Sequence, residues 1–278
     1  MSVHLNQDNV VPELLPDGAS RRRLIHEDNV PGTQCRFDVL TLEAGGSMDL
    51  QLPRQGVAWA QVLNGCLRVQ GGGEDRVLGE SQLLFLANAF AGRLASDKGA
   101  ELILLEVPNA GQFDPESESG LPGVQSIDLG LEPMLQSEHD ERTRIYVATP
   151  KLFGTRALIG ELVAFPPGTV SQNHHHVGAE HFQYVLRGEA TVYLNETPQR
   201  LEAGDLLYKY DRERHYCEND GSGELVFVEF FVPGEYETVW ADPERQCAWS
   251  PTGKNALGGE PSRHIATHTS DGSYHQDV

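Results

Sequence analysis

Residues 168–219 carry five histidines, and the spacing of four of them, His174, His176, His181 and His215, restricts how this part of the chain can fold. His174 and His176 are two apart, so on a strand both side chains leave the same face. His181 opens onto the apolar run Phe182-Gln183-Tyr184-Val185-Leu186. His215 follows a turn-bearing stretch and joins the others only if the chain folds back antiparallel. Neutral imidazole is a good ligand for Fe(II), Mn, Ni, Cu and Zn. The spacing predicts a small β-barrel in which His174, His176, His181 and His215 converge on one divalent metal. His175 lies between two inward residues and is expected to point outward.

The residues around these histidines keep the intervals of a known pair of motifs. Gly168 is followed by five residues, then His174-His175-His176, then four residues, His181, six residues and Gly188. Further on, Gly204, Tyr210, Arg212, His215 and Asn219 are spaced as a second motif. The stretch resembles the cupin superfamily, whose motifs read G-x5-H-x-H-x(3,4)-E-x6-G and G-x5-P-x-G-x2-H-x3-N. His181 stands where the family usually has Glu. Glu180 offers a second alignment, but neighbours on a strand point to opposite faces, which favours His181. Tyr210 and Arg212 replace the Pro and Gly of the second motif's turn. The resemblance implies a double-stranded β-helix (jelly-roll) barrel with a metal inside it.

A paler copy precedes this stretch. Val62-Leu63-Asn64-Gly65 echoes Val185-Leu186-Arg187-Gly188, and Gly79-Glu80-Ser81 echoes Gly204-Asp205-Leu206. Runs rich in β-branched and aromatic residues predict strands over 36–42, 58–69 and 101–107 in the first half. The second half offers 157–165, 181–194 and 224–232. A repeat of this size predicts an all-β chain of two barrels, a bicupin in the terms of the resemblance. The expected layout is an N-terminal arm over 1–30, a degenerate barrel over 31–108, a linker over 109–143, the metal-binding barrel over 144–235 and a tail over 236–278.

Matching Gly65 to Gly188 puts Ala58 at the place of His181. Matching Gly79 to Gly204 puts Phe90 at that of His215, and residues 51–54 contain no histidine. One metal per chain is therefore expected, with the first barrel structural. The alternative for that barrel is an apolar ligand pocket lined by Trp59 and Phe90. The tail histidines His264, His268 and His275 have no ligand spacing and are expected to be solvated.

Composition narrows the function. A net charge of −20 disfavours nucleic acid and anionic membranes as partners. The four cysteines are irregularly spaced, with no C-x-x-C pair, and are expected to be free thiols of a reducing compartment. No signal-peptide pattern or membrane-length apolar run is present, so a cytoplasmic location is expected. Cupin barrels often pair sheet to sheet, which makes a homodimer the expected assembly.

Four neutral imidazoles leave the charge of a divalent ion undiminished, which makes it a stronger Lewis acid. Gln183, two past His181, should face the same cavity, there to bond a substrate or dioxygen or simply to satisfy a buried polar group. Tyr193, Tyr208 and Tyr210 are candidate pocket residues, with Tyr208 and Tyr210 carried forward beside Gln183 as catalytic candidates. Cys217 is expected inward but not as a nucleophile. A metal-dependent enzyme acting on a small, oxygen-rich organic substrate follows. A non-haem Fe(II) dioxygenase stands first on family grounds, with Zn, Ni, Mn and Cu as other metals. A non-redox isomerase, cyclase, lyase or hydrolase is the alternative, and a non-catalytic ligand-binding cupin the third.

Overall fold

The computed structural model describes residues 2–87, 89–115, 121, 123–270 and 277–278. The chain divides into two contact-dense units: Gln7–Gly130 with Phe153–Ala157, and Met1–Asn6 with Leu131–Leu152 and Leu158–Val278. Strand β1 (Val3–Asn6) belongs to the second unit. The first unit runs β2 (Glu13–Leu15), β3 (Ala19–Ile25), β4 (Arg36–Leu42), β5 (Gly46–Gln51), β6 (Val57–Gly65), β7 (Leu67–Gly71), β8 (Glu74–Leu78), β9 (Gln82–Leu86), β10 (Ala91–Ser96), β11 (Ala100–Val107) and β12 (Val124–Asp128). The second continues with β13 (Pro133–Ser137), β14 (Thr143–Ala148), β15 (Ile159–Phe165), β16 (His174–Val177), β17 (Glu180–Arg187), β18 (Glu189–Leu194), β19 (Thr197–Glu202), β20 (Asp205–Lys209), β21 (His215–Glu218) and β22 (Leu225–Val232), then β23 (Glu237–Trp240), β24 (Ala248–Asn255) and β25 (His268–Thr269).

Nine strands of each unit correspond in order and pairing. The row β9-β6-β11-β4-β3 reappears as β20-β17-β22-β15-β14, and β5-β10-β7-β8 reappears as β16-β21-β18-β19. Each unit is thus a double-stranded β-helix of two facing sheets. Strand β12 extends one edge of the first unit and β1 the same edge of the second.

Two runs expected as single strands, 58–69 and 181–194, are each two strands broken at a glycine. Gly65 and Gly188 sit at φ of 82° and 80°. A Cβ on either would collide with a backbone carbonyl oxygen, that of Gly99 or of Glu224. Only glycine adopts this left-handed turn without strain.

The first barrel is filled by hydrocarbon. Leu40, Leu42, Leu50, Leu52, Ala58, Ala60, Leu84, Leu86, Phe90 and Leu104 form one buried cluster with side chains from both sheets. Trp59 is buried but lies outside that cluster, on the opposite face of β6 from Ala58. Trp59 and Phe90 therefore do not share a cavity wall, contrary to the apolar-pocket alternative.

The structure distributes the flanking segments differently from the sequence layout. Within 1–30, β1 pairs with β20, while β2 and β3 extend the first barrel's sheet. Within 109–143, β12 and β13 are strands of the first and second unit. The tail supplies β23, β24 and β25, and buries Cys247, Trp249, Ile265 and Val278 in the second core. These segments carry charged or turn-forming residues that obscure strand periodicity, and the partners of β1, β23 and β24 (β20, β16 and β13) lie far away in sequence.

Candidate metal centre

Strand alternation and antiparallel pairing bring the site together. His174 on β16 is the register partner of His215 on β21, and His176 follows two residues later on the same face. Among the described residues, these three offer ligand nitrogens within 4.8 Å of one another. Each ring is fixed through Nδ1. His174 Nδ1 donates to the Gln172 carbonyl at 2.7 Å and His215 Nδ1 to the Glu213 carbonyl at 2.8 Å. His176 Nδ1 lies 3.1 Å from Thr238 Oγ1. A carbonyl only accepts, so Nδ1 carries the proton in the first two and the Nε2 lone pair is left for a ligand.

Burial keeps these rings neutral. It pushes His174 down to about 4, and it drives His176 and His215 well below the ordinary range, with mutual repulsion adding to the effect. Neutral imidazole is the metal-binding form. The donor set and its outer anchors therefore fit one divalent first-row ion.

His181 completes the ring contacts, with its centroid 4.8 Å from His176 and 5.1 Å from His215. Its Nε2 pairs with Glu229 Oε2 at 2.9 Å, its ring stacks on Phe231, and its buried Nδ1 has no hydrogen-bond partner among the described residues. It stands beside the cluster of three rather than within it. Glu180, the other candidate, accepts from the Tyr208 hydroxyl at 2.7 Å on the opposite face of β17.

The structure separates the other sequence candidates. Gln183 lines the histidine cavity and Cys217 does too. Burial raises the Cys217 thiol to about 12, which holds it as a neutral, inert side chain. Tyr208 and Tyr210 do not line the cavity and must be withdrawn from it. On β20, Lys209 faces inward, so Tyr208 beside it faces out, where its ring meets Tyr210 at 5.1 Å. Tyr193 stacks on Tyr216, donates to Glu218 and does not itself line the cavity. Asn219 is a turn lock: its Nδ2 donates to the Phe165 and Gly223 carbonyls and its Oδ1 accepts from the Gly221 amide. Of the tail histidines, His264 is exposed, but His268 Nε2 bonds the buried Tyr146 hydroxyl at 2.8 Å. His275 lies outside the described residues.

Sequence reasoning missed the charges behind the histidines. Lys209, Arg142, Arg144, Glu161 and Glu229 all line the cavity of about 60 Å³. Lys209 is 1 % exposed and donates to Gln183 Oε1 at 2.5 Å. Burial pushes its ammonium down to about 8, against the pull of Glu229. Arg144 pairs with Glu161 at 2.9 Å and lies over the Trp249 ring. Arg142 pairs with Asp140 at 2.8 Å. A signal was present: Glu161 and Glu229 are lone carboxylates inside apolar strands, an arrangement that almost always has an interior partner.

The repeat shows where the first barrel lost its site. Pairing registers place Leu50 at the position of His174, Leu52 at that of His176 and Ala58 at that of His181. The glycine-based match of Phe90 to His215 is off by two residues. Gly92 pairs with Leu50 as His215 pairs with His174, and a Cβ on Gly92 would run into the Phe90 ring. Phe90 thus fills the space from a neighbouring position.

The "Cupin domain" family model matches residues 161–231, within the barrel that carries the histidines. A solved structure of a point mutant of Bacillus subtilis oxalate decarboxylase OxdC superposes with a TM-score of 0.67 at 19 % identity, covering 86 % of this chain and 79 % of that one. The second barrel thus carries a cupin domain, and the chain has the two-barrel fold of a bicupin. Over 141 residues the bicupin is 31 % identical to oxalate decarboxylase OxdC of Bacillus subtilis (strain 168), covering 44 % of this chain and 37 % of that protein. Over 67 residues it is 31 % identical to an oxalate-binding protein of Thermotoga maritima, covering 24 % of this chain and 55 % of that one. These alignments span about a third to a half of the curated relatives' length. In the bicupin itself, no helix among the described residues is long and apolar enough to cross a membrane, and no disulfide joins any of the four cysteines.

Proposed function

We propose that this bicupin is a metal-dependent enzyme that breaks a bond of a small carboxylic acid at the second barrel, without oxygen chemistry. The observation that carries this is the convergence of three Nδ1-anchored, neutral histidines on a cavity lined by three cations and two carboxylates. His174, His176 and His215 would hold one divalent ion, with His181 as the nearest fourth donor. The ion would supply Lewis-acid polarisation of a bound carboxylate or carbonyl. The excess of cations, with the metal's own charge, favours an anionic substrate. A cavity of about 60 Å³ holds on the order of four waters, so the substrate has only a few heavy atoms. Likeness to an oxalate decarboxylase and an oxalate-binding protein supports the same class.

Metal analysis of the natively purified protein tests the site, and one ion per chain is expected. Incubation of that protein with two- to four-carbon acids then tests the chemistry, with carbon dioxide release and no oxygen uptake expected. Stoichiometric oxygen uptake would replace this reading with the Fe(II) dioxygenase expected from the sequence. Binding without turnover would replace it with a ligand-binding cupin. A protein devoid of metal would overturn the site itself.

A further inference from the structure

The inner face of the second barrel contains a lysine that barrel formation does not require. Lys209 ends β20 and is the register partner of His181 on β17. In the first barrel the same register position, opposite Ala58, is Leu86, a member of the hydrocarbon cluster. Gln183 corresponds in the same way to Ala60, and Glu229 to Leu104. One barrel of this architecture thus closes on apolar residues at all three places. Burying an ammonium is costly unless something compensates it.

Compensation within the protein is incomplete. Among the described residues, the hydrogen bond of Lys209 is the one to Gln183 Oε1. That leaves two of its three N–H groups for the cavity. The Nε2 of Gln183, a residue 3 % exposed, has no hydrogen-bond partner among the described residues. Glu229, the nearest carboxylate of the same layer, accepts from His181. Both residues line the cavity that the metal-binding histidines line. Unsatisfied donors from two adjacent strands therefore face the same small space, and only an acceptor in that space can satisfy them.

We infer that Lys209, held in place by Gln183, selects substrates that carry a second acidic group beyond the one presented to the metal-binding histidines. This rests on the proposed function and specifies which acids it takes. A substrate of this kind has one oxygen-bearing head at the histidines and a carboxylate, one or two bonds away, on the Lys209 ammonium and the Gln183 amide. Acids with a neutral group at that end leave the donors unpaired and bind less well.

Two α-hydroxy acids with the same head test this. Glycolate lacks a second carboxylate and tartronate has one. Each is titrated into the Mn(II)-loaded full-length protein by calorimetry, with quenching of Trp240 and Trp249, which line the cavity, as a second readout. The wild type should prefer tartronate by about tenfold or more, the size of one charge-assisted hydrogen bond. Lys209→Met should lose that preference with the metal still at one per chain, and Leu86 in the first barrel shows that an apolar residue is accommodated there. Gln183→Leu should reduce the preference in the same direction by less. Should Lys209→Met fail to fold, Lys209→Gln, which keeps a polar end without the charge, should show the same loss. If Lys209→Met weakens both acids equally, or retains the tartronate preference, Lys209 is structural and the inference falls. Equal wild-type affinity for the two acids overturns the inference while leaving the proposed function standing. Binding of neither acid overturns both.

Discussion

At matching positions of the two barrels, the first has Leu50, Leu52, Ala58, Ala60, Leu86 and Leu104 where the second has His174, His176, His181, Gln183, Lys209 and Glu229. The backbone scaffold tolerates either set, because a jelly roll is fixed by strand pairing and by turns such as those at Gly65 and Gly188. One feature persists in both. Arg144 and Glu161 form an ion pair in the second barrel, and Arg21 and Asp38 occupy the same register positions in the first, 3.9 Å apart. The comparison teaches that the metal-side residues are free to vary with function, whereas the cation–carboxylate pair at the β3–β4 and β14–β15 pairings is common to both barrels.

The largest test of the contrast is loss of the metal. His176→Ala and His215→Ala should each drop the metal content from one per chain to none, with circular dichroism unchanged. Normal metal content in either variant would remove that histidine from the site. Next comes Phe90→Ala. Its ring belongs to the first core and fills the space over Gly92, so its removal should cost about 3–5 kcal/mol in denaturant unfolding while leaving metal binding in the second barrel intact. An unchanged midpoint would show that the first interior is not the packed core described.

Where the barrels agree, substitutions should agree too. Gly65→Ala and Gly188→Ala should each destabilise by at least about 2 kcal/mol, from the left-handed turn and the carbonyl it faces. A large effect in one barrel and none in the other would break the equivalence of the two turns.

The smallest effects concern pH, and here the barrels oppose each other. Burial raises the Asp38 carboxyl to about 7 from its ordinary 3.8, against the pull of Arg21. The stability it contributes is complete below about pH 4 and is lost as the pH rises toward 7. Burial lowers His174 to about 4 from 6.5. Its contribution is complete above about pH 6.5 and is lost as the pH falls toward 4. In metal-free protein, Asp38→Asn should flatten the decline on the alkaline side and His174→Gln that on the acid side. Urea unfolding from pH 4 to 8 reads both; slopes that match the wild type would show that neither group is as buried as described.

Much of this was legible in the sequence, for physical reasons that can be named. Period-two spacing placed His174 and His176 on one face, and the matched glycines exposed the repeat. Strand alternation also separated His181 from Glu180. The interior charges were harder to read, because Lys209, Arg144 and Glu161 acquire meaning only from their register partners. Lys209 follows Tyr208, and the aromatic drew attention although alternation turns it outward. The Phe90 match failed because a glycine was used as the anchor where the strand register differs by two residues. Strands β1 and β23 were invisible because their partners, β20 and β16, are too remote for any local pattern to report, while the arginine run of β3 hid its pairing with β2 and β4.

The pairing of β1 with β20 has a consequence for how the protein reaches this state. Asn6 Nδ2 donates to Asp205 Oδ1 at 2.9 Å across a separation of 199 residues. Closing so long a loop is entropically slow compared with closing the hairpins of either barrel. The edge of β20, whose other edge neighbours the histidine strand β17, should therefore stay open until late in folding. An open edge is a template for another chain's strand, so the interval before Val3–Asn6 docks is when this protein is most exposed to mispairing with its own copies.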